Sequence, residues 1–337
     1  MQIALVGAGA IGGSIAASLN RSGHDVELAA RGEHLAAIRE SGIRLTGAWG
    51  THTALVTANE TLTRRPELAL VCTKAQDARS AIEANREFLT GLPVVIVQNG
   101  LEALATARAA LPDADWIGGL ALYAASYLSA GEITVTTSGP TLLGSGDGPP
   151  TAATVAAAGV LAESVPAQAI SNFTGAQWSK LIVNQVNAMP AITGLSVQET
   201  IANAELRAII TAGMREAVRV GRASGVRFEK VQGLSSAMLR VFTSVPATLA
   251  EQLPLLMARR MGDTPNPGST LQSIRRGQLT EVDYLNGAVV AEAAAAGVNA
   301  PINAALTEMV HGVEASHHFM TPGAVARAVD LAAEKRG

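Results

Sequence analysis

The chain has 337 residues, 48% of them apolar and 16% charged, which makes it long enough for two hydrophobic cores and too apolar to be disordered. Its net charge of −3 carries no acidic or basic block, so there is no electrostatic reason to expect nucleic acid or an anionic membrane as partner. A single cysteine, Cys72, excludes an intrachain disulfide and fits a reducing compartment. No basic segment precedes the first apolar run, and no apolar stretch reaches the roughly 20 residues of a membrane span, so the expected location is the cytoplasm.

In chain order, residues 3–6, 26–29, 68–72 and 94–98 are continuous apolar runs, the pattern of parallel strands covered on both faces. Helical stretches at 11–22, 35–40, 75–89 and 101–111 alternate with them. This β-α-β-α order predicts a Rossmann-like, doubly wound α/β sheet. A strand is expected around Gly119. Residues 132–137 and 141–144 flank a Ser-Gly-Pro turn and predict an antiparallel pair finishing the sheet. A helix over 151–164 and a last strand near 167–170 follow. Beyond them the periodicity is helical, over 175–192, 203–224, 230–241, 271–276, 280–296 and 302–314, with a proline-containing loop at 262–268. Two domains are expected, 1–170 with the sheet and 171–337 all-helical.

Gly7-Ala8-Gly9-Ala10-Ile11-Gly12 fits G-x-G-x-x-G between a predicted strand and a predicted helix, the context that gives the pattern meaning. Gly7 permits the tight turn, Gly9 lets the backbone approach a pyrophosphate, and Gly12 lets the helix pack on the strand. The helix start then turns its N–H groups toward the phosphates. At the end of the second strand, Ala30 occupies the position where an NAD-binding chain usually has an acid. Arg31 follows, and a guanidinium there suits a 2′-phosphate, so the expected cofactor is NADP. Lys74 and Asn99 fall just beyond predicted strand ends, where ligands of open α/β sheets lie.

In the helical half, Lys180, Asn184 and Asn187 stand at i, i+4 and i+7 and share one face of a predicted helix whose other sides are apolar. A buried lysine needs a partner, and a cleft for a polar substrate supplies one.

With the glycine motif, Lys74, Gln98-Asn99-Gly100, Trp178-x-Lys180-x-x-x-Asn184, Ser269 and Thr280-Glu281-Val282-Asp283-Tyr284-Leu285-Asn286-Gly287, the chain resembles the ketopantoate reductases (2-dehydropantoate 2-reductases) from residue 1 to about 312. The resemblance implies a cleft between the two domains, reduction of a 2-oxo acid by NADPH, and pantothenate biosynthesis as pathway. It implies Lys180 as proton donor and Asn99, Asn184, Asn187 and Ser269 as substrate contacts. Glu281 would act with the lysine and touch cofactor or substrate, and Ala125 would touch cofactor. The chemistry agrees: hydride delivered to a 2-oxo carbon leaves an alkoxide, which an ammonium stabilises and protonates.

Three departures from the family pattern leave room for another 2-oxo acid. Asn184 and Asn187 are three apart where the family has four, Ser273 stands where Asp is common, and Thr270 where Met is common. Two other readings remain open: an opine- or imine-type reductase, and a non-catalytic NADP-binding regulator. A homodimer is also left open. The six histidines (His24, His34, His52, His311, His317 and His318) form no i, i+4 ligand pair, so no metal site is expected.

Overall fold

The computed structural model describes residues 1–262 and 264–334; Asp263, within the predicted 262–268 loop, and the last three residues of the expected helical domain lie outside the described residues. The chain separates into two compact units, Met1–Thr174 and Gly175–Gly337.

The first unit contains, in chain order, β1 (Gln2–Val6), β2 (Asp25–Ala29), β3 (Ile43–Gly47), β4 (His52–Ala54), β5 (Thr57–Asn59), β6 (Leu68–Val71), β7 (Pro93–Val97), β8 (Asp115–Ala121), β9 (Ala124–Ser129), β10 (Glu132–Thr137), β11 (Thr141–Gly144) and β12 (Ala167–Ala169). The larger sheet runs β12-β11-β8-β7-β6-β1-β2-β5. From β8 to β5 every pairing is parallel. Counted along the chain, those six strands have the 3-2-1-4-5-6 order of dinucleotide-binding sheets, with the reversal between β1 and β6. All four residues of β6 are buried, as a strand covered on both faces requires.

A second sheet, β4-β3-β10-β9, has no counterpart in the sequence prediction beyond residues 132–137. Its strands alternate: Ile43 and Leu45 of β3 and Ile133 and Val135 of β10 point inward, with polar residues between them. The helix Ala10–Arg21 packs against this sheet as well as against β1, and the fit at Gly13 is close, since a Cβ there would strike Ile133 Cδ1.

The expected antiparallel pairing of 132–137 with 141–144 is corrected. β10 pairs antiparallel with β9 and parallel with β3, whereas β11 pairs antiparallel with β8 in the other sheet. The Ser-Gly-Pro link is a crossing between sheets, held by Leu122 N–H donating to the Pro140 carbonyl (2.8 Å), and a Cβ on Gly139 would sit 2.6 Å from the Leu122 oxygen. The burial patterns explain the separation: β10 is buried on alternate residues, β11 on all four. The expected helix over 75–89 is also broken, into a 3₁₀ turn Ala75–Asp77 and helices Ala78–Ala84 and Arg86–Leu89. Asn85 makes the break, because its amide accepts from Leu62 N–H and donates to the Ala81 carbonyl, both at 2.8 Å.

The second unit is helical. Its long elements are Phe173–Asn184 (starting just before the unit boundary), Ala204–Ala223, Val282–Ala295 and Pro301–Ser316. The expected single helix over 175–192 is two helices, Phe173–Asn184 and Ala188–Thr193, joined by a 3₁₀ turn Gln185–Asn187. Pro190 supplies the reason. Deep inside an α-helix it would lack a donor and clash with the carbonyl four residues back, whereas the restart at Ala188 puts it in a first turn, where neither matters. The helix expected over 230–241 begins later, at Ser236, because Ser235 Oγ caps it by accepting from Met238 N–H (3.2 Å). Residues 231–234 form a turn with Gln232 and Gly233 at positive φ. No helix among the described residues is long and apolar enough to cross a membrane.

Candidate functional site

In the first unit, the carboxyl ends of four neighbouring strands carry every cofactor position expected from the sequence except Ala125. β7 leads to Asn99, β6 to Lys74, β1 to Gly7–Gly12, and β2 to Ala30 and Arg31. Parallel pairing is what aligns them, since it puts all four carboxyl ends on one edge. Gly7 turns at φ +102°, and a Cβ there would lie 2.8 Å from Thr73 N. A Cβ on Gly12 would collide with the Gly7 carbonyl oxygen and come within 2.9 Å of Cys72 Cβ. Gly9 differs: it is exposed, and a Cβ there would meet nothing within 4 Å.

The helix Ala10–Arg21 starts at Gly9 with no capping side chain and no acid in its first turn. Its leading N–H groups therefore face an open cradle free of competing negative charge, the arrangement that accepts a pyrophosphate. Ala8 is buried, and Ile11 is half-buried against the core. Arg31 is exposed at the N-cap of Gly32–Ser41, and its guanidinium makes no hydrogen bond or ion pair with another described residue. Lys74 and Asn99 are both half-buried, Lys74 at the N-cap of Ala75–Asp77 and Asn99 before Gly100 at φ +83°. Ala125 lies in the second sheet, paired with Val135, partly buried against the core.

In the second unit, Trp178 and Ser179 fix the rotation of the helix that carries Lys180. Trp178 packs on Gly221, where a Cβ would lie 2.9 Å from the indole, and Ser179 Oγ donates to the Glu229 carbonyl (2.7 Å). Lys180 is half-buried, and desolvation draws its ammonium down to about 8, with the Glu281 carboxylate opposing the fall. Glu281 is the N-cap of Val282–Ala295 and is itself half-buried. The structure thus brings together two residues a hundred positions apart in the chain.

Asn184 ends the α-helix and Asn187 ends the 3₁₀ turn, so the continuous α-helical face expected for Lys180, Asn184 and Asn187 does not exist. In a 3₁₀ turn, however, residues three apart eclipse each other, so the turn carries Asn187 back over Asn184. The Asn187 amide oxygen lies 2.8 Å from where a Cβ on Gly268 would stand, which puts it beside the backbone of exposed Ser269. Thr270 and Ser273, the two departures in this segment, are buried, and Ser273 Oγ donates to the Ser269 carbonyl (3.2 Å).

Several residues behind these positions escaped sequence reasoning. Gln185 Oε1 accepts from Asn286 Nδ2 (2.8 Å), which also donates to Asn303 Oδ1 (3.0 Å). Asn303 Nδ2 in turn donates to Glu216 Oε2 (2.8 Å). The Glu216 carboxylate caps Pro301–Ser316 by accepting from Ile302 and Asn303 N–H at 3.0 and 2.9 Å. All four side chains are at most 2% exposed, so this chain of amides ties the 3₁₀ turn to the helix headed by Glu281. Only Asn286 lay within a recognised motif. On the other side of Glu281, Glu314 Oε1 accepts from Thr280 N–H (2.7 Å), while His311 donates to Glu314 Oε2 (2.8 Å) and Asp283 Oδ1 (2.9 Å). Burial pulls the His311 imidazolium down, but the two carboxylates outweigh it and hold its pKa above the ordinary value. No group of three or more His, Cys, Asp or Glu among the described residues could hold a metal ion.

Two family models match the chain: Ketopantoate reductase PanE/ApbA over residues 3–148, and Ketopantoate reductase PanE/ApbA C terminal over residues 172–314. The chain belongs to the ketopantoate reductase family. It is an oxidoreductase of that family, whose members use a nicotinamide cofactor to reduce 2-oxo acids. The 2-dehydropantoate 2-reductase of Archaeoglobus fulgidus is 27% identical over 325 residues, 93% of this chain and 98% of its own. A crystal structure of a PanE/ApbA family ketopantoate reductase from Ralstonia eutropha JMP134 superposes with a TM-score of 0.80 at 29% identity, covering 94% of this chain and all of its own. D-mandelate dehydrogenase in a ternary structure with NADH and anilino(oxo)acetate shares the fold (TM-score 0.79, 23% identity, 94% of this chain and 99% of its own). In this reductase the glycine loop fits the dinucleotide on its own geometry, through an open cradle at Gly9 and an uncapped helix start.

Proposed function

We propose that the protein reduces 2-dehydropantoate, or a closely similar 2-oxo acid, with NADPH, and that Lys180 is the proton donor. The observation that carries this reading is the half-buried Lys180 with its pKa drawn to about 8 and Glu281 opposing the fall. An ammonium so placed is charged at neutral pH yet gives up its proton far more readily than an ordinary lysine. The cofactor, when bound, supplies the hydride. Lys180 then gives its proton to the oxygen on which negative charge develops, and Glu281 keeps the lysine charged until that moment. Asn99, Asn184, Asn187 and Ser269 are the hydrogen-bonding groups for the substrate's carboxylate and hydroxyl. Arg31 is the ligand for the 2′-phosphate, and Gly7 to Gly12, Lys74 and Ala125 hold the rest of the cofactor. The domain division near residue 170 leaves the glycine loop, Arg31, Lys74 and Asn99 in the sheet domain and Lys180, Asn184, Asn187, Ser269 and Glu281 in the helical one. The reading includes pantothenate synthesis in the cytoplasm.

The test is a panel of 2-oxo acids, 2-dehydropantoate and aryl 2-oxo acids included, with and without amines, followed by loss of NADPH absorbance. Turnover of 2-dehydropantoate without amine is the expected result. Turnover only with amine would replace this reading by C–N bond formation, and cofactor binding without turnover of any member would make the protein a regulator.

A further inference from the structure

His34 lies on the third position of Gly32–Ser41, outside every motif, yet its ring is hydrogen-bonded at both nitrogens. Nε2 lies 2.7 Å from the Ala8 carbonyl oxygen, and Gly131 N–H donates to Nδ1 (2.9 Å). A carbonyl can only accept and a backbone N–H can only donate. The ring is therefore neutral, with its proton on Nε2. Tyr127 packs edge-on against it at 4.8 Å between ring centres.

Ala8 is the residue between the first two glycines of the cofactor loop. In a planar trans peptide the carbonyl and the following N–H point in opposite directions. Anchoring the Ala8 oxygen on His34 therefore turns the Gly9 N–H the other way. Gly9 N–H has no hydrogen-bond acceptor among the described residues, and the space around the exposed Gly9 is open. Without the anchor, the Ala8–Gly9 peptide could rotate and present an oxygen to the phosphates. We propose that His34 is a positioning residue for the dinucleotide's pyrophosphate: it holds the Ala8–Gly9 peptide with its N–H toward the anion, and it does so only while neutral.

Protonation puts a hydrogen on Nδ1, facing the Gly131 N–H, so the clasp opens at the hairpin side and the ring loses its fixed orientation. Burial, opposed by the bond to Ala8, keeps the imidazole below its ordinary 6.5. The charged groups around it do not reverse this. Arg31 and Glu33 on its own helix are exposed, Glu132 beyond the hairpin tip is paired with Arg44 and accepts from Ser129, Tyr127 meets the ring edge-on, and the glycine loop carries no charge. Neutral His34 is favoured in the folded, cofactor-ready state, so dinucleotide affinity is full at neutral pH and falls as pH drops through the lowered imidazole pKa, below the ordinary 6.5.

This inference rests on the dinucleotide reading of the loop and is tested by binding, independent of turnover. Dissociation constants for NADH, which has no 2′-phosphate to titrate, are measured by fluorescence between pH 5 and 8 for the wild type, His34→Ala and His34→Gln. His34→Ala is expected to weaken NADH and NADPH equally, by about tenfold at pH 7.5, the loss of one oriented hydrogen bond to a charged group. His34→Gln keeps a donor for Ala8 and has no proton to gain. It is expected to bind like the wild type at pH 7.5 and more tightly than the wild type at pH 5.5. Wild-type affinity for His34→Ala, with an unchanged melting temperature, overturns the proposal. So does a fall in affinity at low pH that persists in His34→Gln. Failure of the wild type to bind either dinucleotide would overturn the cofactor reading itself.

Discussion

The glycine loop of the first unit and the Lys180 helix of the second are built by opposite means. The loop is shaped by what is missing: Gly7 and Gly12 stand where any Cβ would strike the backbone, and Gly9 stands where a Cβ would meet nothing within 4 Å among the described residues. Lys180 works through what surrounds it, a half-buried ammonium whose pKa is set by desolvation and by one carboxylate. A site of the first kind is specified by shape and tolerates no added atom. A site of the second kind is specified by charge and is tuned by its neighbours.

The largest expected effect tests the charged site. Lys180→Ala should lower kcat by about 10²-fold or more while leaving the NADPH dissociation constant close to the wild type, as steady-state kinetics and fluorescence titration would read. Comparable kcat in the variant would end the proton-donor role.

The next separates the two uses of glycine within the loop. Gly12→Ala should destabilise the fold by about 1–3 kcal/mol in urea unfolding, because its Cβ meets the Gly7 carbonyl and Cys72. Gly9→Ala should leave unfolding unchanged and weaken both dinucleotides by about tenfold or more, because the only thing in its way is the ligand. Equal stability losses in the two variants would erase the distinction.

Glu281→Gln sharpens the charge side. Glu281 raises the Lys180 pKa against burial, so removing its charge should move the alkaline fall of kcat from about 8 to lower pH. An alkaline limb that stays in place would show that another group sets it. The smallest effect concerns cofactor choice: Arg31→Ala should weaken NADPH several-fold more than NADH, and equal losses would remove the 2′-phosphate assignment.

Much of this was legible in the residues. Gly7, Gly9 and Gly12 sit at a strand–helix junction whose geometry allows few alternatives, and the apolar runs of β1, β2, β6 and β7 could be read because strands buried on both faces have nothing polar to hide. The second sheet was missed because β3, β4 and β9 are short or only half buried, and short alternating runs look like loops. The pairing of β10 with β11 was misread because adjacency in sequence suggests a hairpin. The alternate burial of one strand against the continuous burial of the other was the signal that they belong to different sheets. Pro190 was the unread signal for the break between Asn184 and Ala188.

Taken alone, the sequence determines the glycine loop, the alternation of strand and helix, and the residue types able to move a proton, because all of these are local in the chain. Tertiary structure alone decides that Glu281 meets Lys180, that Gln185, Asn286, Asn303 and Glu216 join in one buried chain, and that His34 clasps Ala8. Each of these depends on groups distant in sequence losing water together, and desolvation is a property of the packed interior that no local pattern encodes.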